Sequence, residues 1–194
     1  MRVIAGTLRG RRLATPTWPG LRPTSDKLRE TLFNIIAGRA PGARLLDGYA
    51  GTGAIGIEAL SRGAAHVTFM DQDVRALRLV SENLRRCGIT DRYAIIRARV
   101  NEVARELSAA SFDLIVLDPP YEEPDVPAAL TAVAALLGTH GWLVLEHARR
   151  RPAPVAAGGL ARIRDLKAGD SALAFYEAGM SPERAGAWTA EAGE

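Results

Sequence analysis

The four residues Asp118-Pro119-Pro120-Tyr121 combine a carboxylate, two rigid prolines and an aromatic ring in one short segment. They follow an apolar run at 112–117, which predicts a buried β-strand. Two consecutive prolines cannot extend that strand, because each fixes φ and lacks a backbone N–H. The motif therefore begins where the strand ends, and open α/β sheets bind ligands at the carboxyl ends of their strands.

Recognition of a nucleobase amine is the chemistry that this motif fits. The Asp118 carboxylate and the Pro119 carbonyl can accept hydrogen bonds from both hydrogens of an exocyclic NH2 group, while the Tyr121 ring stacks on the base. The alternative is a strand followed by a proline turn that ends in tyrosine by chance. We expect Asp118, Pro119, Pro120 and Tyr121 to be the catalytic motif.

A second candidate site is a glycine-rich loop that follows a short apolar run. Gly51, Gly53 and Gly56 satisfy a dinucleotide-type fingerprint, and Asp71 ends the next strand about 20 residues later, where a ribose-binding acid is expected. The alternative for Asp71 is a strand-end cap to the helix that starts at Asp73. The fingerprint alone fits either a nicotinamide cofactor or S-adenosylmethionine. Asp47 favours S-adenosylmethionine, because a carboxylate repels a pyrophosphate and attracts the ammonium of a methionine group.

Strand and helix patterns alternate along the chain, which predicts an α/β fold with a parallel sheet covered by helices on both faces. The last two strand-like runs are separated only by a turn, so we expect the sheet to close with an antiparallel hairpin. Strand-like runs lie at 44–47, 66–70, 93–97, 112–117, 141–146, 160–166 and 171–177. Helical patterns lie at about 54–62, 73–87, 100–109 and 125–137, and another helix follows Ser25.

Positive charge is concentrated at the start of the chain. Residues 1–44 hold nine basic and two acidic residues, a balance of +7, whereas the other 150 residues hold 16 basic and 20 acidic ones, a balance of −4. Two short runs, 2–5 and 11–14, predict a β-hairpin in this basic segment. Such an arm fits a docking surface for a polyanion, with a solvated arginine-rich face as the alternative.

Other classes of protein are disfavoured by composition. The chain has no apolar run of membrane-spanning length, and its single cysteine, Cys87, favours a reducing cytoplasm. The three histidines are too scattered to be metal ligands, so we expect no metal. His147 follows the fifth strand-like run, where it could line the mouth of a substrate site, but we expect it at the surface.

The chain is similar to the RsmD-type 16S ribosomal RNA guanine-N2 methyltransferases from Met1 to about Tyr176. The N-terminal motifs are the specific ones, because the glycine loop and the proline motif occur in many methyltransferases. The motifs that carry the resemblance are Arg2-Val3-Ile4-Ala5-Gly6, Leu8-Arg9-Gly10-Arg11-Arg12-Leu13, Leu21-Arg22-Pro23-Thr24-Ser25-Asp26, Arg29-Glu30, Leu32-Phe33-Asn34, residues 47–63, Asp118-Pro119-Pro120-Tyr121, Glu146-His147 and Gly169-Asp170-Ser171-Ala172-Leu173.

The resemblance implies a Rossmann-like, class I S-adenosylmethionine-dependent methyltransferase. Its seven-stranded, mostly parallel sheet would end in an antiparallel hairpin, with a small N-terminal β-hairpin extension. The extension would cover residues 1–23, the methyltransferase domain 24–178, and a disordered tail 179–194. The implied reaction moves one methyl group from S-adenosylmethionine to the N2 amine of a guanine in 16S rRNA of the small ribosomal subunit, without a metal.

The resemblance also implies a cofactor site and an RNA-binding surface. Arg99 stands where many methyltransferases have an acid for the adenine amine, so we expect adenine to meet backbone groups at 98–100. Thr24 begins a helix N-terminus that fits a cofactor carboxylate, a phosphate or a simple cap. The cofactor residues would be Thr24, Asp47, Tyr49, Ala50, Gly51, Gly53, Asp71, Gln72, Arg99 and Val100. The RNA-binding residues would be Arg2, Arg9, Arg11, Arg12 and Arg22.

Three other functions remain as alternatives. A DNA adenine-N6 or cytosine-N4 methyltransferase uses the same four-residue motif, but the chain has no room for a separate target-recognition domain. A nicotinamide-dependent oxidoreductase explains the glycines and leaves the Pro-Pro-Tyr turn without a role. A non-catalytic RNA-binding assembly factor would keep the fold alone. The sequence gives no signal for an oligomeric state.

Overall fold

The computed structural model describes residues 1–19, 24–105, 107–121 and 123–179. The chain divides into two compact units, Met1–Arg99 and a second that begins at Val100. Within the described ranges, no helix combines the length and the apolar character that a bilayer crossing requires.

Three parallel strands form the sheet of the first unit. They are β1 (Arg44–Gly48), β2 (His66–Asp71) and β3 (Tyr93–Arg97), in the order β3-β2-β1. The central residues of β1 and β2, among them Leu45 and Phe69, are fully buried, whereas β3 lies at the end of this order and its central residues are half-buried. This burial explains why the strands read as apolar runs in the sequence.

The helices of the first unit are α1 (Asp26–Ile35), α2 (Ala54–Ser61) and α3 (Val74–Cys87). Ser25 caps α1, because its side chain accepts a hydrogen bond from the N–H of Leu28 at 3.2 Å. Every residue of α2 is buried, whereas α3 is amphipathic and buries one face. The helix boundaries predicted at 54–62 and 73–87 therefore hold to within one residue.

An N-terminal arm, defined here as residues 1–17, precedes α1. It forms one antiparallel bridge, Arg2 to Arg12, and the N–H of Val3 donates to the carbonyl of Arg11 at 2.9 Å. The predicted hairpin is therefore present in its pairing, although it is too short to form regular strands.

The second unit contains a 3-10 helix (Val100–Arg105), α4 (Val126–Ala134) and five strands. Strand β4 pairs with β5 in parallel, and β5, β8, β7 and β6 follow one another in antiparallel pairing. This confirms the predicted mixed sheet with an antiparallel end. The five strands are β4 (Phe112–Leu117), β5 (Leu137–Ala148), β6 (Ala156–Ala157), β7 (Leu160–Ala168) and β8 (Ser171–Ala178).

Local details of the second unit differ from the prediction. The helix expected at 125–137 ends at Ala134, and β5 begins at Leu137 rather than at 141. The helix expected at 100–109 is a 3-10 helix that ends at Arg105. Its buried residues Val100 and Val103 are three apart, a spacing that suits three residues per turn. An eighth strand, β6, adds to the seven that were predicted, and its two residues are too few to give a sequence period.

Candidate functional site

Asp47 lies at the carboxyl end of β1, where the chain enters the glycine-rich loop. Its side chain is buried, and its Oδ2 accepts a hydrogen bond from the N–H of Gly56 at 2.9 Å. Burial raises the pKa of Asp47 to about 8, with a smaller contribution from the charge of Asp71, while the bond from Gly56 acts in the opposite direction. A buried carboxyl group of this kind gains most from a cationic partner, because a cation replaces the lost solvation of the charged form.

The loop after β1 turns through three residues with positive φ. The φ angles of Tyr49, Gly51 and Gly53 are 60°, 55° and 74°. The N–H of Ala50 donates to the carbonyl of Met70 at 2.9 Å, which joins the loop to the end of β2. Tight turning at glycines lets a ligand approach the peptide groups of the loop closely.

Gly56 serves the packing of α2 rather than the turn. A Cβ atom at this position would lie 2.2 Å from Cε1 of Phe69 and 2.7 Å from Cγ1 of Val67. The absence of a side chain therefore lets α2 pack closely on β2, which is the role of the third glycine in dinucleotide-type fingerprints.

Asp71 ends β2 and contacts the same loop. Its Oδ2 accepts a hydrogen bond from the N–H of Gly51 at 3.0 Å, and its Oδ1 accepts one from the N–H of Asp73 at 2.9 Å. Each carboxylate oxygen can accept a second hydrogen bond, which suits the hydroxyls of a ribose. The structure thus brings together Asp47, the glycine loop and Asp71, as the sequence predicted.

These groups fit S-adenosylmethionine as a ligand. Asp47 offers a buried carboxyl group for an ammonium, Asp71 offers oxygens for hydroxyls, and the glycine loop offers a backbone surface between them. A pyrophosphate would instead place two negative charges beside Asp47.

Four further residues were predicted to bind the cofactor. Gln72 is exposed, and its carbonyl accepts a hydrogen bond from Nε of Arg97 at 3.3 Å. Arg99 is exposed, and Val100 is buried at the start of the 3-10 helix. Thr24 is half-buried beside Ser25, which is the residue that caps α1. The cofactor roles of all four stay predictions.

Glu58 of α2 anchors the arm, a role that the sequence did not predict. It is fully buried, and its two oxygens accept hydrogen bonds from the N–H groups of Ile4 at 2.7 Å and Ala5 at 3.0 Å. Nε of Arg62 donates to it at 2.8 Å, and Nη1 of the buried Arg29 lies 3.6 Å away. The signal in the sequence was one charged residue inside an otherwise apolar helix.

Ser61 and Asn83 fix the arm at two further points. The hydroxyl of Ser61 donates to the carbonyl of Ala5 at 2.5 Å and accepts from the N–H of Leu8 at 2.9 Å. The Asn83 side chain bonds both backbone groups of Ala14, at 2.7 Å and 3.2 Å, and donates to the carbonyl of Thr52 at 2.9 Å. Asn83 therefore links the arm directly to the glycine loop.

The arm presents its arginines to solvent while its backbone is held. Arg2, Arg9, Arg11 and Arg12 are all exposed, in keeping with a surface that contacts phosphates. The predicted Arg22 lies outside the described residues. Trp18 is half-buried, and the guanidinium of Arg75 lies 5.4 Å from the centre of its ring.

The four-residue motif lies directly after β4, in the second unit. Asp118 is half-buried, Pro119 is buried and Pro120 is exposed. The carbonyl of Pro120 accepts a hydrogen bond from the N–H of Glu123 at 2.8 Å, so the prolines form a closed turn, as predicted. The hydroxyl of Tyr121 fixes its ring through hydrogen bonds to Oε1 of Glu146 at 3.2 Å and Oγ of Ser171 at 2.7 Å.

A cavity of about 220 Å³ opens beside this turn, entirely within the second unit. It is smaller than the ~300–1,000 Å³ typical of pockets for drug-sized ligands, so it suits a single base. Its walls include Pro119 and Tyr121 from the turn, Glu146 and His147 from the end of β5, and the loop at 151–154. A cavity of this size therefore lies at the carboxyl ends of β4 and β5, beside the predicted motif.

His147 is buried beside this cavity, and its expected surface position is wrong. Its Nδ1 lies 3.0 Å from the carbonyl oxygen of Arg151, and its Nε2 lies 3.4 Å from Oδ1 of Asp165. Arg151 in turn donates from Nη1 to the carbonyl of Tyr121. These contacts hold the loop after β5 against the four-residue motif. Among the described residues, no group of histidine, cysteine and acidic side chains could hold a metal ion.

Comparison with solved structures defines the class of the protein. The structure of the Escherichia coli protein yhhF, which is described as a candidate methyltransferase, superimposes with a TM-score of 0.80. The two chains share 26% identity over 93% of this chain and 99% of the other. The fold is therefore that of the Rossmann-like methyltransferases.

Sequence comparisons identify the family within this class. Residues 1–177 match the family described as "Conserved hypothetical protein 95". The chain is 40% identical to ribosomal RNA small subunit methyltransferase D of Escherichia coli K12, over 75% of this chain and 71% of that protein. It is 39% identical to YlbH of Bacillus subtilis, described as a candidate rRNA methyltransferase, over 91% and 98% of the two chains. The chain belongs to the RsmD family of ribosomal RNA methyltransferases, and the resemblance noted in its sequence is confirmed.

Proposed function

We propose that this protein transfers a methyl group from S-adenosylmethionine to the exocyclic N2 amine of a guanine in 16S rRNA of the small ribosomal subunit. The observation that carries the proposal is the Asp-Pro-Pro-Tyr turn beside a base-sized cavity, in a chain of the RsmD family. The family relatives named as small-subunit methyltransferases support rRNA as the substrate.

Two acceptors of the turn act on the amine. Its lone pair is delocalised into the purine ring, so the free amine is a poor nucleophile. The Asp118 carboxylate and the Pro119 carbonyl accept hydrogen bonds from its two hydrogens and orient the lone pair toward the methyl group. Positioning of this kind contributes ~7 kcal/mol or more to well-oriented reactions. As the sulfonium–methyl bond breaks and the N2–methyl bond forms, the amine becomes a cationic ammonium, which is strongly acidic and loses one proton without a strong base.

The aromatic ring of the turn holds the base. A base must leave its stack to reach the cavity, and stacking on Tyr121 offsets part of that cost by about 1–3 kcal/mol. The hydrogen bonds of the Tyr121 hydroxyl to Glu146 and Ser171 fix the plane of the ring before the base arrives. The ring is thus a preformed stacking surface.

The first unit holds the methyl donor. S-adenosylmethionine supplies an electrophilic methyl group on a sulfonium. Asp47 binds the ammonium of its methionine part, Asp71 binds the ribose, and the peptide groups of the glycine loop line the space between them. We place adenine against backbone groups at 98–100, because the exposed Arg99 is no acceptor for its amine.

The exposed arginines of the arm bind the RNA backbone. Phosphate contacts position a nucleic acid without reading its sequence, so the arm provides orientation and affinity.

The proposed substrate implies that the enzyme acts in the cytoplasm, with 16S rRNA or the small subunit as its partner. The buried Cys87 thiol agrees with a reducing compartment.

The activity is tested by methyl transfer with the full chain and tritiated S-adenosylmethionine. Acceptors are unmodified 16S rRNA, small subunits assembled from it, and duplex DNA, followed by nucleoside identification. We expect N2-methylguanosine from an RNA acceptor. N6-methyladenine or N4-methylcytosine from DNA would overturn the proposal, and so would binding of NADH in place of S-adenosylhomocysteine.

The role of the turn is tested by Asp118→Ala. Loss of the acceptor lowers the rate of methylation by about 100-fold or more, because a positioned polar group at the reacting centre is worth that much. Affinities for S-adenosylhomocysteine and 16S rRNA stay within twofold. Asp113→Ala, which removes an exposed carboxylate of the same strand, is the matched control and keeps full activity. Normal methylation by Asp118→Ala would contradict the assignment.

A further inference from the structure

A second carboxylate lies beside the four-residue motif, on the neighbouring strand. Leu117 of β4 pairs with Leu145 of β5 in the parallel register, so the next residues, Asp118 and Glu146, occupy adjacent positions. Neighbouring strands are about 4.8 Å apart, and paired residues point to the same face of a sheet. The two carboxylates thus start from adjacent points at the carboxyl ends of β4 and β5.

Glu146 is built into the cavity rather than displayed at the surface. It is only 5% exposed, and it lines the cavity together with Pro119 and Tyr121. Such burial of a carboxylate is costly unless hydrogen-bond donors surround it. The protein provides the Tyr121 hydroxyl, 3.2 Å from Oε1.

A short relay fixes the orientation of Glu146. A tyrosine hydroxyl has one hydrogen, and the carboxylate can only accept. The Tyr121 hydroxyl therefore donates to Glu146, and the Ser171 hydroxyl donates to Tyr121 across 2.7 Å. Ser171, Tyr121 and Glu146 together hold an acceptor in the wall of the cavity.

Guanine is the base whose edge matches two neighbouring acceptors. Its amine at C2 is flanked by the N1–H group, so two adjacent donors face outward. The amines of adenine and cytosine are flanked by ring nitrogens with lone pairs, and uracil has no amine. A carboxylate beside the amine site therefore attracts guanine and repels the other two amine-bearing bases.

We infer that Glu146 accepts a hydrogen bond from N1–H of the target guanine and thereby selects guanine, while Asp118 and the Pro119 carbonyl hold the amine. The inference rests on the proposed function and assigns a specificity-determining residue to the same site. It explains why the polar relay is buried at the end of β5. It also separates this protein from amine methyltransferases that act on adenine or cytosine with the same four-residue motif.

The test uses an analogue that keeps the amine and loses its neighbour. The 2-aminopurine base has the 2-amino group of guanine but an unprotonated N1. Small subunits are assembled from 16S rRNA that carries guanine or 2-aminopurine at the position that the wild-type protein methylates. Initial rates of methyl transfer are measured for the wild type and for Glu146→Gln.

We expect the wild type to prefer guanine over 2-aminopurine by about 100-fold, because a hydrogen bond to a buried charged group is lost and a lone pair faces the carboxylate. In Glu146→Gln, the amide can accept from N1–H or donate to an unprotonated N1. The preference falls to within about fivefold, even if both rates are lower. A change in this ratio is a readout that a purely structural Glu146 would not give.

Glu177→Gln is the matched control, since Glu177 lies near the far end of β8, about 20 Å along the strand from Ser171. It keeps the wild-type preference. An unchanged preference in Glu146→Gln, with guanine still methylated, would overturn the inference and leave the proposed function standing. Absence of N2-methylguanosine with the wild-type protein would instead contradict the proposed function.

Discussion

Asp47, a buried acid with no ion-pair partner among the residues that the structure describes, lies at the centre of the proposed cofactor site. Its pKa of about 8 means that the free protein binds a proton there at neutral pH. The ammonium of a bound methionine group favours the charged form, so binding releases that proton. Cofactor affinity and the proton on Asp47 are therefore coupled.

This coupling predicts that S-adenosylhomocysteine binds more tightly as the pH rises from 6 to 8. The gain is at most about tenfold per pH unit, the limit for release of one proton. In Asp47→Asn the dependence disappears and affinity at pH 8 is lower. Isothermal titration calorimetry at pH 6, 7 and 8 measures the affinity of both proteins for S-adenosylhomocysteine. An equal change of affinity with pH in the two proteins would contradict the role of Asp47.

The stability of the unliganded protein provides an independent control on the same residue. Because folding raises the pKa of Asp47 from 3.8 to about 8, its contribution to the free energy of unfolding is full below pH 4 and is lost as the pH rises toward 8. Asp47→Asn removes this loss, so the variant should be more stable than the wild type at pH 8 but not at pH 4. Urea denaturation of both proteins at pH 4 and pH 8 measures the difference in their free energies of unfolding.

At the scale of the elements, the arm is attached to α2 by close backbone contact. Gly6 has φ of +80°, and a Cβ atom there would lie 1.9 Å from the carbonyl oxygen of Ser61. The N–H of Thr7 donates to that same oxygen at 2.8 Å. The backbone of the arm can therefore contact the end of α2 this closely only because residue 6 has no side chain.

Gly6→Ala should displace the arm and lower the free energy of unfolding by roughly 2–4 kcal/mol, the range for severe steric overlap in a packed region. Gly10→Ala is a matched control, because Gly10 has φ of +83° and no atom within 4 Å of the added Cβ. It should cost only the backbone strain, about 1 kcal/mol. Urea denaturation compares the two, and equal losses would contradict the docking contact.

The charge of the whole molecule is divided along its length. The first 44 residues carry +7 and the remainder −4, although the total is only +3. Four of the basic side chains are the exposed arginines of the arm. A polyanion should therefore bind at the arm rather than over the entire surface.

Replacing Arg9, Arg11 and Arg12 together by Gln should weaken binding to 16S rRNA and reduce its salt dependence. Each lost phosphate contact reduces the magnitude of the negative slope of log K against log salt by about 0.7–0.9. The loss of three contacts should therefore reduce that magnitude by about 2. Filter binding at salt concentrations between about 50 and 200 mM measures this slope.

The paired substitution Arg164→Gln and Lys167→Gln in β7 is the control, and it should leave the slope unchanged. If the control lowers the slope as much as the arm variant does, the arm is not the docking surface. Far-UV circular dichroism verifies that the variants are folded.

The sequence by itself determined the two motifs and most of the elements. Apolar periods located seven of the strands, and prolines and glycines marked the turns at their ends, because these effects depend on a few neighbouring residues. Asp47, Gly51 and Asp71 were predicted to meet for the same reason, since the carboxyl ends of parallel strands lie at one edge.

Only the tertiary structure decided which polar residues are buried. Glu58 meets Ile4 across 54 residues, and Tyr121 meets Ser171 across 50. Glu146 could be seen in the sequence, but its burial in the cavity wall could not. Burial of a polar group depends on donors that distant segments supply, and a local sequence period carries no information about them.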